Sequence, residues 1–201
     1  GLEPERFRRA VYVQTWHGTE SAQEWRQRLH EGKVAIYGAP SPLMQNTRAT
    51  HHQSYRRSLD DFRPEIVVSH SERADLLNLW AKYTHPTHPH SVRTVHIDQQ
   101  WKTHPWLGAV FEQACAPLVF DAQIAVSTTI QAILERRWAA RMFSRRVHVF
   151  YNGIDTDLLR TSHPVAPPLS APLSQRPVLV SVGRLTEQKG YSYLLSAMQR
   201  V

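Results

Sequence analysis

The chain has 201 residues, a formal net charge of +7 and a single cysteine, Cys115. This length is enough for one well-packed core or about one and a half domains, and a lone cysteine excludes an intrachain disulfide framework. No run of about 18 apolar residues predicts a membrane span, and the first residues lack the apolar stretch of a signal peptide, which predicts a cytoplasmic location.

Short apolar runs alternate with helix-like stretches along the first half of the chain. Gly32 follows one such stretch and is expected to end that helix. The predicted strands are residues 11–14, 34–37, 65–69 and 92–97, and the predicted helices are residues 20–31, 50–62 and 72–83.

The same alternation continues to about residue 160. Pro105 suits the first turn of a helix that Pro117 is expected to break, and Ser127 is a candidate N-cap for a helix that runs to about Phe143. Strands are predicted at residues 121–126 and 147–151. Strands that alternate with long helices indicate a parallel sheet covered on both faces, so residues 1–160 are predicted to form a Rossmann-like α/β domain.

A change of composition follows this domain. Residues 161–177 carry five prolines and no hydrophobic periodicity, which is typical of a linker. Residues 178–201 then hold one predicted strand and one predicted helix, too little to bury their own apolar faces. The chain is therefore expected to be a fragment whose last residues begin a second domain.

The segment Ser181 to Gly190 has the residues of an anion site. It follows the apolar run 178–180, precedes a helix-like run, and contains Gly183, Arg184, Lys189 and Gly190. A helix start offers free N–H donors and a positive dipole end. Arginine can bind two phosphate oxygens through its planar fork, and lysine adds a compact charge. The segment is predicted to bind a diphosphate.

Together with the turn Asn152-Gly153-Ile154-Asp155, this segment resembles the retaining glycosyltransferases of family 4. The resemblance covers residues 152–155 and 178–190 in the order that the family shows. It implies the two-domain architecture called GT-B, with an N-terminal acceptor-side domain and the start of a C-terminal nucleotide-sugar-binding domain. It also places the family's pair of glutamates downstream of this chain, so the fragment alone is expected to be inactive.

The resemblance implies roles for individual residues. Gly183, Arg184, Lys189 and Gly190 would bind the donor diphosphate, together with Gly18 in the loop after the first strand. His96, at a strand end, would face the cleft near the sugar as the catalytic residue. His17 and His70 are weaker candidates on the acceptor or sugar side.

The implied reaction is hexosyl transfer from a nucleotide-sugar substrate to an acceptor hydroxyl of a glycan or lipid-linked sugar. The anomeric configuration would be retained, and no metal or other cofactor is expected, because Arg184 and Lys189 would oppose the charge of the leaving diphosphate. The reaction would belong to glycan, glycolipid or polysaccharide biosynthesis.

Other interpretations of the sequence remain open. The histidines at positions 85, 88, 90 and 96 raise a metal site as an alternative, although they have no helical spacing and no nearby acidic residue. Arginines near Trp138, Met142 and Phe143 predict a peripheral contact with an anionic membrane surface at the inner face; they are Arg136, Arg137, Arg141, Arg145 and Arg146. No nucleic-acid motif is present. The rival functions are another GT-B nucleotide-sugar enzyme, such as an epimerase, and a non-catalytic basic binding module.

Overall fold

The computed structural model describes residues 6–14, 20–38, 48–97, 101, 104–154, 156–161 and 179–199. The chain divides into two compact units, residues 1–153 and 154–201. The boundary that the sequence places at residue 160 stays a prediction.

The first unit is an α/β unit whose described strands all pair in parallel, which confirms the predicted fold class. Strands β1 and β2 form a two-stranded sheet, and β3 to β6 form a four-stranded sheet in the order β3-β4-β5-β6. The strands are β1 (Ala10–Val13), β2 (Ala35–Gly38), β3 (Ile66–Ser69), β4 (His90–Val95), β5 (Ala122–Ala125) and β6 (His148–Val149).

Helices connect consecutive strands, as parallel pairing requires. Ser127 caps α6 as predicted, since its hydroxyl accepts a hydrogen bond from the Ile130 N–H at 3.2 Å. The helices of this unit are α1 (Glu20–Glu31), α2 (Arg48–Phe62), α3 (Glu72–Thr84), α4 (Pro105–Val110), α5 (Ala116–Val119), α6 (Thr128–Glu135) and α7 (Trp138–Met142). None of the described helices combines the length and the hydropathy needed to span a bilayer.

Two sheets are present where the alternation predicts one. Within the described residues, β1 has a hydrogen-bonded neighbour only in β2, and packing of side chains joins it to the larger sheet. Tyr12 of β1 and Val67 of β3 pack against the same buried cluster, which includes Tyr55 and Leu77 from α2 and α3. A second cluster places α6 on the sheet, with Val95, Ala125, Leu134 and Val147 buried together.

Pro117 does not end its helix, contrary to the prediction. The helix that begins at Pro105 passes through a π-helical turn, Phe111–Cys115, and continues to Val119. Pro117 lies in the first turn after that widened segment, where the backbone no longer requires its missing N–H. The extra residue of the π turn also changes which side chains face the sheet.

The predicted helix from Ser127 to Phe143 is interrupted in the middle. Arg137 has an extended backbone, with φ −61° and ψ 143°, so α6 ends at Glu135 and α7 begins at Trp138. The break lets the Arg137 side chain turn inward, where only 4% of its surface is exposed.

The second unit contains α8 (Thr156–Thr161), one 3₁₀ turn (Glu187–Lys189) and α9 (Tyr191–Met198) among its described residues. The predicted helix after Gly190 is confirmed, but Leu179 and Val180 form no strand. A strand needs a hydrogen-bonded neighbour, and the described residues of this unit supply none. Val182 and Leu185 are accordingly 95% and 88% exposed.

Candidate active site

Two histidines meet at the carboxyl ends of neighbouring parallel strands. His70 directly follows β3 and His96 directly follows β4, and Nδ1 of His70 lies 3.2 Å from Nε2 of His96. The ring centroids are 5.5 Å apart. Ligands of open α/β sheets bind at this edge. The structure thus brings together the two strand-end histidines that the sequence analysis selects separately.

The contact restricts the protonation of the pair. A hydrogen bond between two imidazoles needs a proton on one of the facing nitrogens and a lone pair on the other. Burial lowers the pKa of His70, and the neighbouring His96 lowers it further, so the neutral form of His70 is favoured. Nδ1 of His96 and Nε2 of His70 remain outside this contact.

A buried polar network fixes the backbone beneath the histidines. Ser69, the residue before His70, donates its hydroxyl to Oδ1 of Asp75 at 2.6 Å. The Asn78 amide donates to Ser69 Oγ and to the carbonyls of Val67 and Val92, at 3.2, 3.0 and 2.9 Å. Helix α3 is therefore hydrogen-bonded to both strands that carry the histidines.

Arg93 lies at the centre of this network, three residues before His96. Its side chain is 0% exposed, its Nε is 3.1 Å from Oδ2 of Asp75, and its two terminal nitrogens donate to the Glu112 carboxylate at 2.9 and 2.7 Å. Arg137 forms an ion pair with the same carboxylate, and the Trp101 indole N–H donates to it at 3.2 Å. The π turn and the break before α7 thus place Glu112 and Arg137 against the sheet.

Burial and charge act in opposite directions on the two carboxyl groups. Burial raises the pKa of Asp75 to about 6, although Arg93 and the Ser69 hydrogen bond oppose the shift. Burial would also raise the pKa of Glu112, but the hydrogen bonds and charges of Arg93 and Arg137 hold it below its usual range. Glu112 is therefore favoured in its ionised form, and its single negative charge is shared by two buried arginines.

The sequence analysis did not identify this network, although the sequence contains a signal for it. Arg93 stands inside the strand run Val92 to Val95, and Glu112 stands inside an apolar helical run. A charge in a buried element requires a partner of opposite sign. The sequence does not show which acidic residue pairs with which arginine.

The predicted diphosphate segment is a loop that leads into a 3₁₀ turn and then into α9. Arg184 and Lys189 are both exposed, and neither has an ion pair with another described residue. A Cβ added at Gly183 would lie 3.8 Å from Cδ of Lys189, so the lysine stem passes close to the loop. Both cations precede α9 in the chain, and their binding of a diphosphate stays a prediction.

One of the two glycines in this loop has a backbone conformation that favours glycine. Gly190 has φ +65°, a left-handed conformation that links the 3₁₀ turn to α9. Gly183 lies against Tyr191, whose hydroxyl oxygen would be 3.0 Å from an added Cβ. These positions shape the loop, and their contact with a donor stays a prediction.

Two predicted site residues lie outside the described part of the chain. These are His17 and Gly18, in the loop between β1 and α1. Asp155, the last residue of the Asn-Gly-Ile-Asp turn, also lies outside it.

The histidines of the metal alternative have separate partners. His85 faces Thr87 and Asp60, whereas His88 faces the Lys82 carbonyl. Within the described residues, no group of three or more His, Cys, Asp or Glu side chains could hold a metal ion. Catalysis without a metal stays a prediction.

The proposed basic surface around α7 needs one correction, because Arg137 is buried against Glu112. The other four arginines are exposed, as are Trp138, Met142 and Phe143. A cavity of about 440 Å³ lies beside this surface, lined in part by Gln123, Phe143 and Arg145. Gln123 lies near the start of β5, so the cavity is at the strand edge opposite the two histidines.

Comparison with known proteins matches residues 4–158 to the family model of Glycosyltransferase Family 4. The chain is also 39% identical over 85 residues to the alpha-maltose-1-phosphate synthase of Mycolicibacterium smegmatis. That match covers 40% of this chain and 21% of the relative, so the alignment spans about a fifth of the relative's length. No solved structure matches the chain.

Proposed function

Because this chain belongs to glycosyltransferase family 4, we propose that it forms the acceptor-side domain, and begins the donor-side domain, of a retaining glycosyltransferase. The enzyme would transfer a sugar from a nucleotide-sugar donor to a hydroxyl group of a carbohydrate or lipid-linked acceptor. The chain alone would lack activity, because the nucleotide sugar requires a complete second domain.

The observation that supports this proposal most strongly is the position of His96. It follows a buried strand of a parallel sheet, at the edge where such sheets bind ligands, and it is in hydrogen-bond contact with a second strand-end histidine. Nε2 of His96 faces His70, whereas Nδ1 of His96 does not. In the proposed reaction that nitrogen forms a hydrogen bond with a hydroxyl group of the transferred sugar and holds the anomeric carbon in position.

Arg184 and Lys189 would bind the diphosphate leaving group. The bond from the anomeric carbon to the diphosphate oxygen breaks, and the electron pair stays on the diphosphate. The new bond forms to the acceptor oxygen, whose proton passes to the departing diphosphate. Negative charge on the diphosphate rises during this step. Arg184 and Lys189 can stabilise this charge, since neither has an ion pair with another described residue.

The name of the mycobacterial relative narrows the acceptor class. An alpha-maltose-1-phosphate synthase makes a phosphorylated disaccharide, so its product is a carbohydrate. For this chain we propose a carbohydrate acceptor and a hexosyl donor. The proposal specifies neither the sugar nor the nucleotide.

The proposal is tested by nucleotide-sugar turnover of the full-length protein. UDP-, ADP- and GDP-hexoses are supplied with and without phosphorylated and unphosphorylated glucose acceptors, and the released nucleoside diphosphate is measured. The anomeric configuration of the product is read by NMR. The 201-residue chain serves as a control and should release no nucleoside diphosphate.

We expect acceptor-dependent release of the diphosphate, with an α-linked donor giving an α-linked product. An inverted product would disprove the retaining mechanism. A sugar that changes configuration without any acceptor would support the rival epimerase, and salt-sensitive binding to vesicles without affinity for any nucleoside diphosphate would support the rival binding module.

A further inference from the structure

The residues before His70 and His96 are both held firmly in the protein core. Ser69 is buried, and its hydroxyl is in hydrogen bonds with both Asp75 and Asn78. Val95 is buried in the cluster that contains Ala125 and Leu134. The main chain that enters each histidine is therefore fixed, and the remaining freedom lies in the two ring torsions.

Both rings lie at the surface edge of the sheet. An exposed imidazole has several staggered χ1 positions and two broad orientations of the ring. A hydrogen bond between Nδ1 of His70 and Nε2 of His96 selects one combination of these torsions for both residues. His96 then presents its other nitrogen, Nδ1, in a single direction.

From this geometry we propose that His70 is a positioning residue for His96. Through its Nδ1 contact, His70 holds the His96 ring and fixes which His96 nitrogen faces the substrate. This role rests on the proposed function of His96 in glycosyl transfer. His70 itself would touch no reacting atom.

In this proposal His70 is the donor of the hydrogen bond, which sets the tautomer of His96. With the His70 Nδ1–H as donor, Nε2 of His96 is unprotonated and its proton is on Nδ1, which then donates a hydrogen bond to a hydroxyl group of the sugar. Burial of His70, together with the adjacent His96, favours neutral His70. The pair therefore keeps one proton between the rings and one on His96 Nδ1.

The ring nitrogens can be observed directly in the 201-residue chain. In ¹⁵N-labelled protein, two-bond correlations from the ring carbon protons distinguish protonated from unprotonated nitrogens. We expect His96 with a protonated Nδ1 and an unprotonated Nε2 in the wild type. In His70→Phe, which keeps a ring but loses both nitrogens, the His96 signals should shift to a mixture of tautomers.

Two substitutions separate the hydrogen bond from the shape of the ring. Asparagine places an amide close to the position of Nδ1, so His70→Asn can keep the hydrogen bond, whereas His70→Phe cannot. In the full-length enzyme, His70→Phe should lower kcat by about tenfold with little change in KM for the donor, the loss expected for one orienting hydrogen bond. His70→Asn should stay within about threefold of the wild type.

His90→Asn is the matched control. His90 is an exposed histidine at the opposite end of the same strand, so its replacement should change neither the tautomer of His96 nor kcat. The spectra are independent of turnover and therefore separate failure of this inference from failure of the proposed function.

Wild-type spectra with His96 protonated on Nε2, or His96 signals that are unchanged in His70→Phe, would overturn the inference even if the enzyme transfers sugar. Equal losses of kcat in His70→Asn and His70→Phe would also overturn it, because they would show that His70 contributes something other than this hydrogen bond.

Discussion

Two sets of cations in this chain have the same chemistry and opposite surroundings. Arg93 and Arg137 are buried and paired with Asp75 and Glu112, whereas Arg184 and Lys189 are exposed and have no ion pair with another described residue. A buried cation that is paired with carboxylates is shielded from a ligand in solution. An exposed cation contributes little to folding but can bind an anion. Surroundings, and not residue type, separate the structural arginines from the candidate site.

The largest effect that the comparison predicts is on folding. Arg93→Met would leave Asp75 and part of Glu112 without their buried partner, and we expect the free energy of unfolding to fall by about 3–5 kcal/mol. Urea denaturation followed by circular dichroism measures it. The control, Arg56→Met on the exposed surface of α2, should change the same quantity by less than about 0.5 kcal/mol. Similar small losses in both variants would remove the distinction between buried and exposed arginines.

The next largest effect concerns the histidine at the strand edge. His96→Ala should lower kcat by about 10²-fold, the loss expected when a group that orients the transferred sugar at the reacting centre is removed. Its unfolding free energy should match that of the wild type, because the side chain is exposed. A variant that is unstable but keeps its kcat would assign His96 to folding.

A pH-dependent effect comes from Asp75. Its pKa is raised from 3.8 to about 6 in the folded protein, so the folded state binds more protons than the unfolded state between these values. The stability contributed by protonated Asp75 is therefore present below about pH 4 and is lost as the pH rises through about 6. Relative to Asp75→Asn, the wild type should lose about 1–3 kcal/mol of unfolding free energy between pH 4 and pH 7.

Unfolding midpoints of both proteins across this range provide the measurement. Arg93, Glu112, Ser69 and Glu72 all act on Asp75, so the difference between the two proteins isolates its titration. A difference that stays constant with pH, or that grows in favour of the wild type, would show that Asp75 is ionised throughout as a simple ion pair with Arg93.

The smallest predicted effect concerns the N-cap residues of two helices. Ser127 accepts a hydrogen bond from Ile130 N–H, whereas Ser71 occupies the same position before α3 without a capping hydrogen bond from its side chain. Ser127→Ala should cost about 1 kcal/mol of unfolding free energy, and Ser71→Ala should cost clearly less. Thermal denaturation of both variants measures this, and equal costs would contradict the capping geometry.

Much of the fold follows from local signals in the sequence. Pro105 begins α4 and Ser127 caps α6 as predicted, because each acts through its own backbone or its nearest turn. Helix α1 ends at Glu31, directly before Gly32 as predicted, but the residue in the left-handed conformation is Lys33, with φ 53°. The strands are short apolar runs between such signals, and their parallel pairing follows from the helices between them.

The errors occur where distant residues determine local structure. The π turn at Phe111–Cys115 places Glu112 against Arg93, which is 19 positions away in the sequence. The break before Trp138 places Arg137 against the same carboxylate, 25 positions away. Similarly, the run 178–180 has the composition of a strand, but a strand also requires a neighbour. Composition and periodicity carry neither kind of information.

The sequence predicted the histidine pair and the two cations of the candidate site to different extents. Placement of His70 and His96 at strand ends followed from the apolar runs before them, whereas their mutual hydrogen bond depends on the register of β3 and β4. For Arg184 and Lys189 the motif identified the residues, and the structure adds that both are exposed.

The measurement that tests the central claim most directly is steady-state turnover by Arg184→Ala and Lys189→Ala in the full-length enzyme, compared with donor binding by calorimetry. If these cations stabilise the departing diphosphate, kcat should fall by about 30- to 1000-fold, well beyond the loss of donor affinity, while the unfolding free energy stays unchanged. Lys189→Arg should restore only part of the rate, because a planar fork cannot replace a compact ammonium without moving the loop. Unchanged turnover in both alanine variants would contradict the account and leave Arg184 and Lys189 as ordinary surface charges.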